Sequence, residues 1–585
     1  MKFPEIKFFL PFFLKYRRQM TIGIVALLLT DAAGLAIPWA LKSVIDSLSS
    51  KPQTGALLSM AGLIFFLSCI QAASRFGWRK CLFGPARLIE RDLLNHLFRH
   101  FLSLDTPFYQ THSVGDMMSR ATNDLRAVRE FVGLGLLIWV DAVVVIVSAL
   151  GLMFWIHPVV TFWVLLPLPI VSLLFFNFIK KIGEGHAAVQ VHLSKITSQV
   201  QENVAGIRTL HTFVQEEHQK KLFDKLNREY IDKNLRVAKL YGIFSPSYIF
   251  TLGISALVSL WIGGNATLAG EMTLGEFVAF NGYLLMLSWP MMGLGYVINL
   301  GQKGRVAMGR LLEILNAEPL VNDSLVQNDR NFLIRGSVAF KSVTFSYPNA
   351  NKTSLNDVDL LIPKGQRLGI VGRVGAGKTS LINLILRLYD PESGVVEIDG
   401  LPINQIPLDV LRKNVVRVEQ EPFLFSMSIR DNIALGDSSA DDSQILSVVH
   451  SAGLQDDIER LPNGLDTLIG ERGVSLSGGQ KQRVALARAL LAGPKVLILD
   501  DAFSALDGDT ESQVLTEILS RLDNVTLILV TQKLQTARKM DFIVFMEDGR
   551  ILEQGTHNEL MQTNGKYAHT YRNQELAMDM EITLQ

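Results

Sequence analysis

The sequence predicts two domains of different fold class, an all-α membrane domain of six helices followed by a soluble α/β domain of the P-loop type. Six apolar runs precede residue 300, and β-branched strands between turns replace them after about residue 320. A glycine-rich loop of the phosphate-binding kind then lies between a strand and a helix. A chain of 585 residues is also too long for one hydrophobic core. We therefore predict a membrane domain at 1–320, a linker at 321–335 and a nucleotide-binding domain at 336–585.

The composition agrees with a chain that is half membrane protein and half soluble protein. Hydrophobic residues make up 48% of the sequence, and the 19% of charged residues are too many for a wholly intramembrane chain. The net charge is zero and no DNA- or RNA-reading motif occurs, so we expect no nucleic-acid partner. Two cysteines, Cys69 and Cys81, predict neither a disulfide framework nor a metal cluster. The first apolar segment is too long for a signal peptide and is predicted to be a retained membrane helix.

Each apolar run of the first half is long enough to cross a bilayer, which takes about 20 mostly apolar residues. Buried helices of a soluble domain are the alternative, but six such runs in succession argue against it. The runs lie approximately at 20–46, 54–78, 131–156, 158–179, 241–263 and 275–300.

The distribution of Lys and Arg predicts how these helices are oriented. The connections at 79–130 and 180–239 are basic, the first through seven Arg and one Lys, whereas the 157–158 turn and the 263–273 stretch contain neither residue type. Basic connections face the cytoplasm, so both termini and the soluble domain are predicted to lie there, in a multi-pass protein of the inner (plasma) membrane. The basic connections are long and have a helical composition, which predicts membrane helices that continue into the cytoplasm.

Three charged residues lie in or near the apolar runs: Asp31, Asp141 and Arg75. Charges inside a membrane are costly and often functional. The simpler interpretation is that each carboxylate faces the helix bundle and is satisfied by a neighbouring helix, while Arg75 extends to the interface. Prolines predict kinks in the helices at four positions: Pro38, Pro167, Pro169 and Pro290.

The segment "LGIVGRVGAGKTSLINLIL" is a strand, a glycine-rich turn and an apolar helix in succession, as a Walker A motif requires. Its glycines allow backbone N–H groups to surround phosphate oxygens, and the helix N-terminus adds a favourable field. Lys378 is expected to reach the β- and γ-phosphates, and the Thr379 hydroxyl to bind Mg²⁺. The predicted phosphate-binding residues are Gly372, Arg373, Val374, Gly375, Ala376, Gly377, Lys378, Thr379 and Ser380.

Two further motifs follow along the chain. The strand "KVLILD" ends in Asp500, the Walker B position, where an acidic residue holds the hydrated Mg²⁺ ion. Before it comes "LSGGQKQR", from Leu476 to Arg483, in which Ser477, Gly478 and Gly479 open a helix with free backbone donors for an anion.

The octet "LSGGQKQR" resembles the signature of ATP-binding cassette proteins. From the first membrane helix to about residue 570, the chain resembles an exporter-type ATP-binding cassette half-transporter, in which two copies of the cassette pair head to tail. The resemblance implies ATP and Mg²⁺ as cofactors. It also implies that the signature, including Gln480, serves the nucleotide bound by the partner cassette.

The same resemblance assigns roles to other residues of the second half. Tyr347 is expected to stack on adenine, and Gln420, which matches the Q-loop, to join Mg²⁺ coordination to the membrane interface. The D-loop is "SALD", from Ser504 to Asp507, and "GERG", from Gly470 to Gly473, resembles the loop that touches crossed-over intracellular helices. Coupling elements between the domains are expected near 111–120, where Gly115 and Asp116 suit a turn before a short helix, and near 208–217.

Two positions depart from the family pattern at the catalytic centre. Asp501 follows Asp500 where the family has the glutamate that orients the attacking water, and Gln532 stands where the family has a histidine. A displaced or missing base typically costs about 10² to 10⁴ in rate, whereas binding of MgATP requires neither residue. The resemblance therefore implies a heterodimer in which a second, non-identical half-transporter with the Walker B glutamate supplies the competent site.

The predicted function is ATP-driven export of small amphipathic or hydrophobic compounds across a lipid bilayer. Alternatives with the same fold are a lipid flippase and an exporter-fold importer, and one of a different class is a nucleotide-gated regulatory or channel subunit. The substrate, the direction of transport and the partner are left open. The aromatic and Met-rich segment at 280–296 suits amphipathic compounds, although helix packing explains its composition more simply.

Overall fold

The structure is a computed structural model that forms two compact units. It describes residues 4–49, 54–326, 332–348, 350, 352–470 and 476–584. The first unit comprises 1–101 and 115–316, and the second comprises 102–114 and 317–585. A short segment between two long helices thus belongs to the second unit.

The first fourteen helices follow one another without a strand in the described part of the first 316 residues. They are α1 (Pro4–Lys15), α2 (Arg17–Ser49), α3 (Thr54–Ser103), α4 (Thr106–Thr111), α5 (Val114–Ser119), α6 (Leu125–Glu130), α7 (Leu136–Ile156), α8 (Pro158–Leu165), α9 (Pro167–Ala205), α10 (Ile207–Thr212), α11 (Glu216–Val258), α12 (Gly264–Leu268), α13 (Leu274–Met286) and α14 (Ser288–Leu315). Single π-helical turns join some of them, at Arg120–Asp124, Phe131–Gly135 and Ser259–Gly263.

Five helical stretches of the described residues are long and apolar enough to cross a membrane: Arg17–Leu48, Leu57–Ser103, Val114–Ile156, Glu216–Leu268 and Leu274–Leu315. They overlap five of the six predicted runs, four of them along their whole length. The sixth run, 158–179, falls on α8 and the start of α9, where the side chains of 168–180 lie outside the described residues. The helical membrane-type domain that the sequence predicts is therefore present.

Several helices are much longer than a bilayer requires. The 50 residues of α3 span about 75 Å at 1.5 Å per residue, against a hydrocarbon core of about 30 Å. The 39 residues of α9 and the 43 of α11 are similarly long. Helices thus run on through the basic connections, as the sequence predicted.

Two of the four prolines that predict kinks lie at or near interruptions of helices. The chain breaks at Leu166, directly before Pro167, and at Leu287, three residues before Pro290. A proline ring collides with the carbonyl four residues earlier, which for Pro290 belongs to the last residue of α13. Pro38 instead lies within a continuous α2, and Pro169 lies in the first turn of α9.

The predicted intramembrane carboxylates meet inside the first unit. Asp31 of α2 is 6% exposed, and its carboxyl group lies near that of Asp141 on α7. Arg75 on α3 is exposed. The carboxylate of Asp31 therefore faces a neighbouring helix, as the simpler interpretation expects, but its Oδ2 has no hydrogen-bond partner among the described residues.

The described residues of the second unit form ten strands. They are β1 (Val338–Phe345), β2 (Leu355–Ile362), β3 (Arg367–Gly372), β4 (Ser393–Ile398), β5 (Leu401–Pro402), β6 (Val415–Val418), β7 (Val496–Asp500), β8 (Thr526–Val530), β9 (Phe542–Glu547) and β10 (Arg550–Gly555). An antiparallel sheet has the order β2-β1-β4-β5, and a six-stranded sheet has the order β10-β9-β3-β8-β7-β6. Strands β9, β3, β8, β7 and β6 run parallel to one another, and the edge strand β10 pairs antiparallel with β9.

Helices cover both faces of the parallel sheet, whose strands β7 and β8 are buried along their whole length. Continuous apolar strands of this kind are typical of parallel sheets. The helices are α15 (Lys378–Ile385), α16 (Leu408–Asn414), α17 (Ile429–Ala434), α18 (Asp442–Ser451), α19 (Gln455–Glu459), α20 (Gly478–Leu491), α21 (Gly508–Arg521), α22 (Leu534–Ala537), α23 (His557–Thr563) and α24 (Lys566–Leu584). The carboxyl ends of β3, β7 and β8 lie side by side, which is where such sheets bind ligands.

Both segments predicted to couple the domains are largely helical, and the first, 111–120, runs from the end of α4 into the residues after α5. Asp105 caps α4 by accepting the Phe108 N–H at 3.3 Å, and its second carboxylate oxygen accepts the Val321 N–H at 3.0 Å. The expectation that Gly115 and Asp116 form a turn before a short helix is wrong. Both lie inside α5, because the extended backbone of His112 has already made the turn.

The second predicted coupling segment, 208–217, covers α10 and the start of α11. Two apolar side chains between these helices are exposed, Phe213 at 68% and Val214 at 79%. Val214 also has a φ of 50°, which is unfavourable for a β-branched residue. The segment therefore exposes apolar surface on a strained turn.

Arg387, two residues beyond α15, holds the described part of the linker on the second unit. It is 2% exposed, pairs with Asp390 at 3.1 Å and donates to the Asn322 carbonyl at 2.9 Å. Breaking a buried pair costs about 3–5 kcal/mol, and we expect about 2 kcal/mol here because Asp390 is partly exposed.

We therefore expect Arg387→Met to lower the unfolding temperature of the second unit by about 4–8 °C. Differential scanning calorimetry of the purified chain measures it. Arg228→Met is the matched control, because Arg228 pairs with Asp224 on an exposed face of α11. Equal unfolding temperatures for the two variants would contradict the role of Arg387 in holding the linker on the second unit.

Candidate nucleotide-binding site

A cavity of about 390 Å³ lies at the carboxyl ends of β3, β7 and β8. It brings together predicted residues from five separate parts of the second unit: Tyr347, Val374–Ser380, Gln420, Asp500 with Asp501, and Gln532. Its wall also includes residues that the sequence analysis missed: Lys352, Thr353, Ser354, Val530, Thr531, Asp548 and Gly549. The phosphate loop, the acidic pair Asp500 and Asp501, and Gln532 thus surround one cavity.

Two glycines allow the phosphate loop to close tightly. Gly372 has a φ of 151°, and a Cβ there would lie 2.3 Å from the Met546 carbonyl oxygen. Gly377 has a φ of 99°, and a Cβ would lie 2.7 Å from the Ser354 carbonyl oxygen. Gly377 also begins α15 without a side-chain cap. The first N–H groups of this helix are therefore available to an anion.

Lys378 supplies the positive charge of the loop. Its ammonium donates to the carbonyls of Gly372 at 2.8 Å and Arg373 at 3.0 Å. Burial lowers the pKa of Lys378 below its ordinary value, and the neighbouring carboxylates Asp501 and Asp500 oppose that shift. The lysine is thus held at the loop as a charge for phosphate oxygens.

Asp500 and Asp501 place two carboxyl groups at the end of β7. Burial raises the pKa of Asp500, while the Arg417 guanidinium, 2.9 Å from its Oδ2, opposes the rise. Burial also raises the pKa of Asp501, and Lys378 opposes it. The Gln420 amide donates to Asp501 Oδ2 at 3.4 Å, so the Q-loop side chain contacts the residue in the base position.

Asp501 has a φ of 50°, in the left-handed region that disfavours most side chains. Aspartate and asparagine tolerate this region best, because their short polar side chains bond locally. The short carboxylate at this position therefore suits the left-handed backbone.

The residues around the cavity fit a magnesium ion. The Thr379 hydroxyl, the Gln420 amide oxygen and the Asp500 carboxylate line the same space, and all three are the hard oxygen donors that Mg²⁺ prefers. Bound Mg²⁺ would neutralise phosphate charge.

Tyr347 and Gln532 also line the cavity. The Tyr347 ring packs edge-on against Phe345 and Tyr389, and its hydroxyl accepts from Asn383 Nδ2 at 3.0 Å. Gln532 follows β8 and its carbonyl accepts from Gln574 at 2.8 Å. Its amide side chain is neutral at every pH and therefore lacks the charge of an imidazolium.

The signature lies away from the cavity of its own chain, since none of Ser477, Gly478, Gly479 and Gln480 lines it. Ser477 caps α20 by accepting the Gln480 N–H at 3.2 Å, and Gln480 reciprocates through the Ser477 N–H at 2.9 Å. The expectation of a fully free helix end is therefore corrected, because the cap already occupies the Gln480 donor. The Gly478 and Gly479 N–H groups precede it in the first turn.

Gln482 is a residue of the site that the sequence analysis missed. It is buried and donates to the Gln420 carbonyl and the Ser504 hydroxyl, both at 3.0 Å. Its Oε1 accepts the Ala505 N–H at 3.1 Å. The signature helix is thus bonded directly to the Q-loop and the D-loop. The polar side chain of Gln482 among the apolar residues on the buried face of α20 was the sequence signal that could have identified it.

The remaining predicted residues are placed as follows. Asp507 caps α21 by accepting the Thr510 N–H at 2.9 Å and does not line the cavity. The "GERG" loop falls largely on 471–475, which lie outside the described residues.

Membrane-length helices joined to a P-loop nucleotide site and a separate signature helix define a transporter ATPase. The chain belongs to the ATP-binding cassette (ABC) transporter family, as a half-transporter of the exporter type. The family model "ABC transporter transmembrane region" matches residues 20–291, and the model "ABC transporter" matches 355–504. The predicted family and fold class are confirmed.

Similar proteins cover the whole chain. It is 36% identical to YheI of Bacillus subtilis, a probable multidrug resistance ABC transporter ATP-binding/permease protein, over 97% of both chains. It is 34% identical to the multidrug resistance-like ATP-binding protein MdlA of Escherichia coli, over 96% of this chain and 95% of MdlA. A bacterial Atm1-family ABC exporter with ATP bound is 25% identical, with a TM-score of 0.76 over 95% of this chain and 98% of that one.

Proposed function

We propose that this chain is one subunit of a heterodimeric ABC exporter that uses ATP to expel small amphipathic or hydrophobic compounds. Its own Walker site binds MgATP and hydrolyses it slowly, and its signature completes the competent site of a non-identical partner. The multidrug names of its relatives support the substrate class. The protein lies in the inner (plasma) membrane, with both termini and the ATPase domain (336–585) in the cytoplasm.

The proposal of slow hydrolysis rests mainly on Asp501, which stands at the position of the family's catalytic base. Asp501 sits on a left-handed backbone with Gln420 at 3.4 Å, and its carboxylate is one methylene shorter than the family's glutamate. Gln532 lacks the charge of the family's histidine. Loss of a positioned base typically costs about 10² to 10⁴ in rate. The loop, Lys378 and Asp500 that bind the nucleotide are intact.

The partner is proposed because the two halves of a working site are separate in this chain. The signature residues Ser477 to Gln480 do not reach the cavity, whereas their helix end suits a phosphate group of a second cassette. The family pattern of that signature is complete, and only the Walker side departs from it. A homodimer would combine two weak sites.

Nucleotide binding is proposed to drive transport through closure of the two cassettes, which changes the membrane cavity from inward to outward facing. Helix α4 belongs to the second unit, where Asp105 binds the backbone at Val321. Only Leu104 and Asp105 separate it from the long α3. Movement of the cassette is therefore expected to pull on α3.

Expression of the chain alone and with candidate partner half-transporters tests the proposal. We expect ATPase activity about 10²-fold higher in the correct pair, lost again when the partner's Walker B glutamate becomes glutamine. ATPase rates of purified samples measure it. A homodimer of this chain that hydrolyses MgATP as fast as a heterodimer would contradict the proposal.

A nucleotide-gated regulatory subunit is the second candidate, and the departures at Asp501 and Gln532 favour it. Transport by the reconstituted pair in inverted vesicles separates the candidates. Accumulation of a fluorescent amphipathic cation supports export, and translocation of labelled lipid supports a flippase. Loss of the cation from inside the vesicles supports uptake, and ATP-gated conductance without accumulation supports a regulatory or channel role.

A further inference from the structure

Arg417 of β6 is a buried cation at the edge of the nucleotide site, and neither the family pattern nor the mechanism above gives it a role. Its side chain is 15% exposed. Nη2 donates to Asp500 Oδ2 at 2.9 Å, and Nη1 donates to Asn383 Oδ1 at 2.8 Å. One face of the metal-binding carboxylate is thus already bonded to a resident positive charge.

Asn383 fixes the guanidinium from the other side. Its Oδ1 accepts from Arg417, and its Nδ2 donates to the Tyr347 hydroxyl at 3.0 Å. If Arg417 moved away, the largely buried amide oxygen of Asn383 would lose its partner, which is costly. A continuous chain of hydrogen bonds therefore runs from the predicted adenine-stacking ring to the Asp500 carboxylate and holds Arg417 in place.

The charge balance of the cavity follows from this arrangement. Two carboxylates, Asp500 and Asp501, would repel the triphosphate of ATP in the absence of a cation. Lys378 offsets one of them, and Arg417 offsets the other. A fixed guanidinium does for Asp500 part of what a bound metal ion does elsewhere.

We propose that Arg417 is a positioning residue that acts as a built-in counter-ion for Asp500 and lowers the Mg²⁺ requirement of ATP binding at this site. The inference rests on the proposed function, in which this cassette retains nucleotide and hydrolyses it slowly. ATP therefore stays bound when free Mg²⁺ is low, and the pair of cassettes is kept ready for the competent site to act.

The test measures binding of trinitrophenyl-ATP to the purified full chain in excess MgCl₂ and in excess EDTA. We expect the unaltered chain to lose less than about fivefold in affinity in EDTA. In Arg417→Met the loss grows by about tenfold, because Asp500 then repels the phosphates until Mg²⁺ neutralises it. Arg417→Gln, which keeps hydrogen-bond donors without the charge, is expected to behave like Arg417→Met, and Arg417→Lys to stay closer to the unaltered chain.

Arg430→Met is the matched control, because Arg430 also pairs with carboxylates, those of Asp466 and Asp442, outside the cavity. The ratio of its affinities for trinitrophenyl-ATP in MgCl₂ and in EDTA is expected to equal that of the unaltered chain. An unaltered chain that loses more than about tenfold in EDTA overturns the inference, whatever the variants do. So does an unchanged ratio in both neutral variants. Rapid turnover or absent ATP binding would instead count against the proposed function, so the two failures are distinguishable.

Discussion

Replacing Lys378 by alanine is expected to lower the affinity of the chain for ATP by about 10- to 100-fold and to abolish transport by the proposed heterodimer. The ammonium is held by the carbonyls of Gly372 and Arg373 at the mouth of the loop. A hydrogen bond to a charged group contributes about 1.5–3 kcal/mol, which corresponds to that range of affinity. Equilibrium binding of radiolabelled ATP to the purified chain measures the loss.

Lys341→Ala is the matched control. Lys341 pairs with Glu397 on the exposed antiparallel sheet, where an ion pair contributes about 0–1 kcal/mol. ATP binding is expected to be unchanged in this variant. If Lys378→Ala bound ATP as well as Lys341→Ala does, the cavity would not be the nucleotide site.

Restoring the family's catalytic residues is expected to have the second large effect. The double variant Asp501→Glu with Gln532→His should raise the ATPase rate of the chain alone by about 10²-fold. The longer carboxylate reaches a water beside the phosphates, and the imidazole adds a donor that is able to carry charge. Each single change should give less, since the two residues act on one transition state. Steady-state release of phosphate measures the rates.

The same change is expected to weaken the fold slightly. Glutamate lacks the local bonding that lets aspartate occupy a φ of 50°, so Asp501→Glu should cost about 1 kcal/mol of stability. Asp501→Asn is the control: it fits the backbone and lacks a base, so its ATPase rate should fall below that of the unaltered chain. No gain of activity in the double variant would contradict the proposal that Asp501 and Gln532 slow hydrolysis at this site.

Much of the fold was predictable because its signals are local. An apolar run of bilayer length, such as 131–156, fixes a helix without reference to the rest of the chain. A strand that leads into glycines and a lysine fixes the loop before Lys378 in the same way. Helix boundaries were less predictable. Gly115 and Asp116 were assigned to a turn, but the turn had already occurred at His112.

The sequence by itself determined the family, the order of the two domains, the loop that surrounds phosphates and the two departures at Asp501 and Gln532. Only the tertiary structure decided that Gln482 bonds the signature helix to the Q-loop and D-loop, and that Arg417 occupies the carboxylate of Asp500. Motifs are read from neighbours along the chain. Arg417 and Asp500 are 83 residues apart, and the pairing of β6 with β7 is what brings them together.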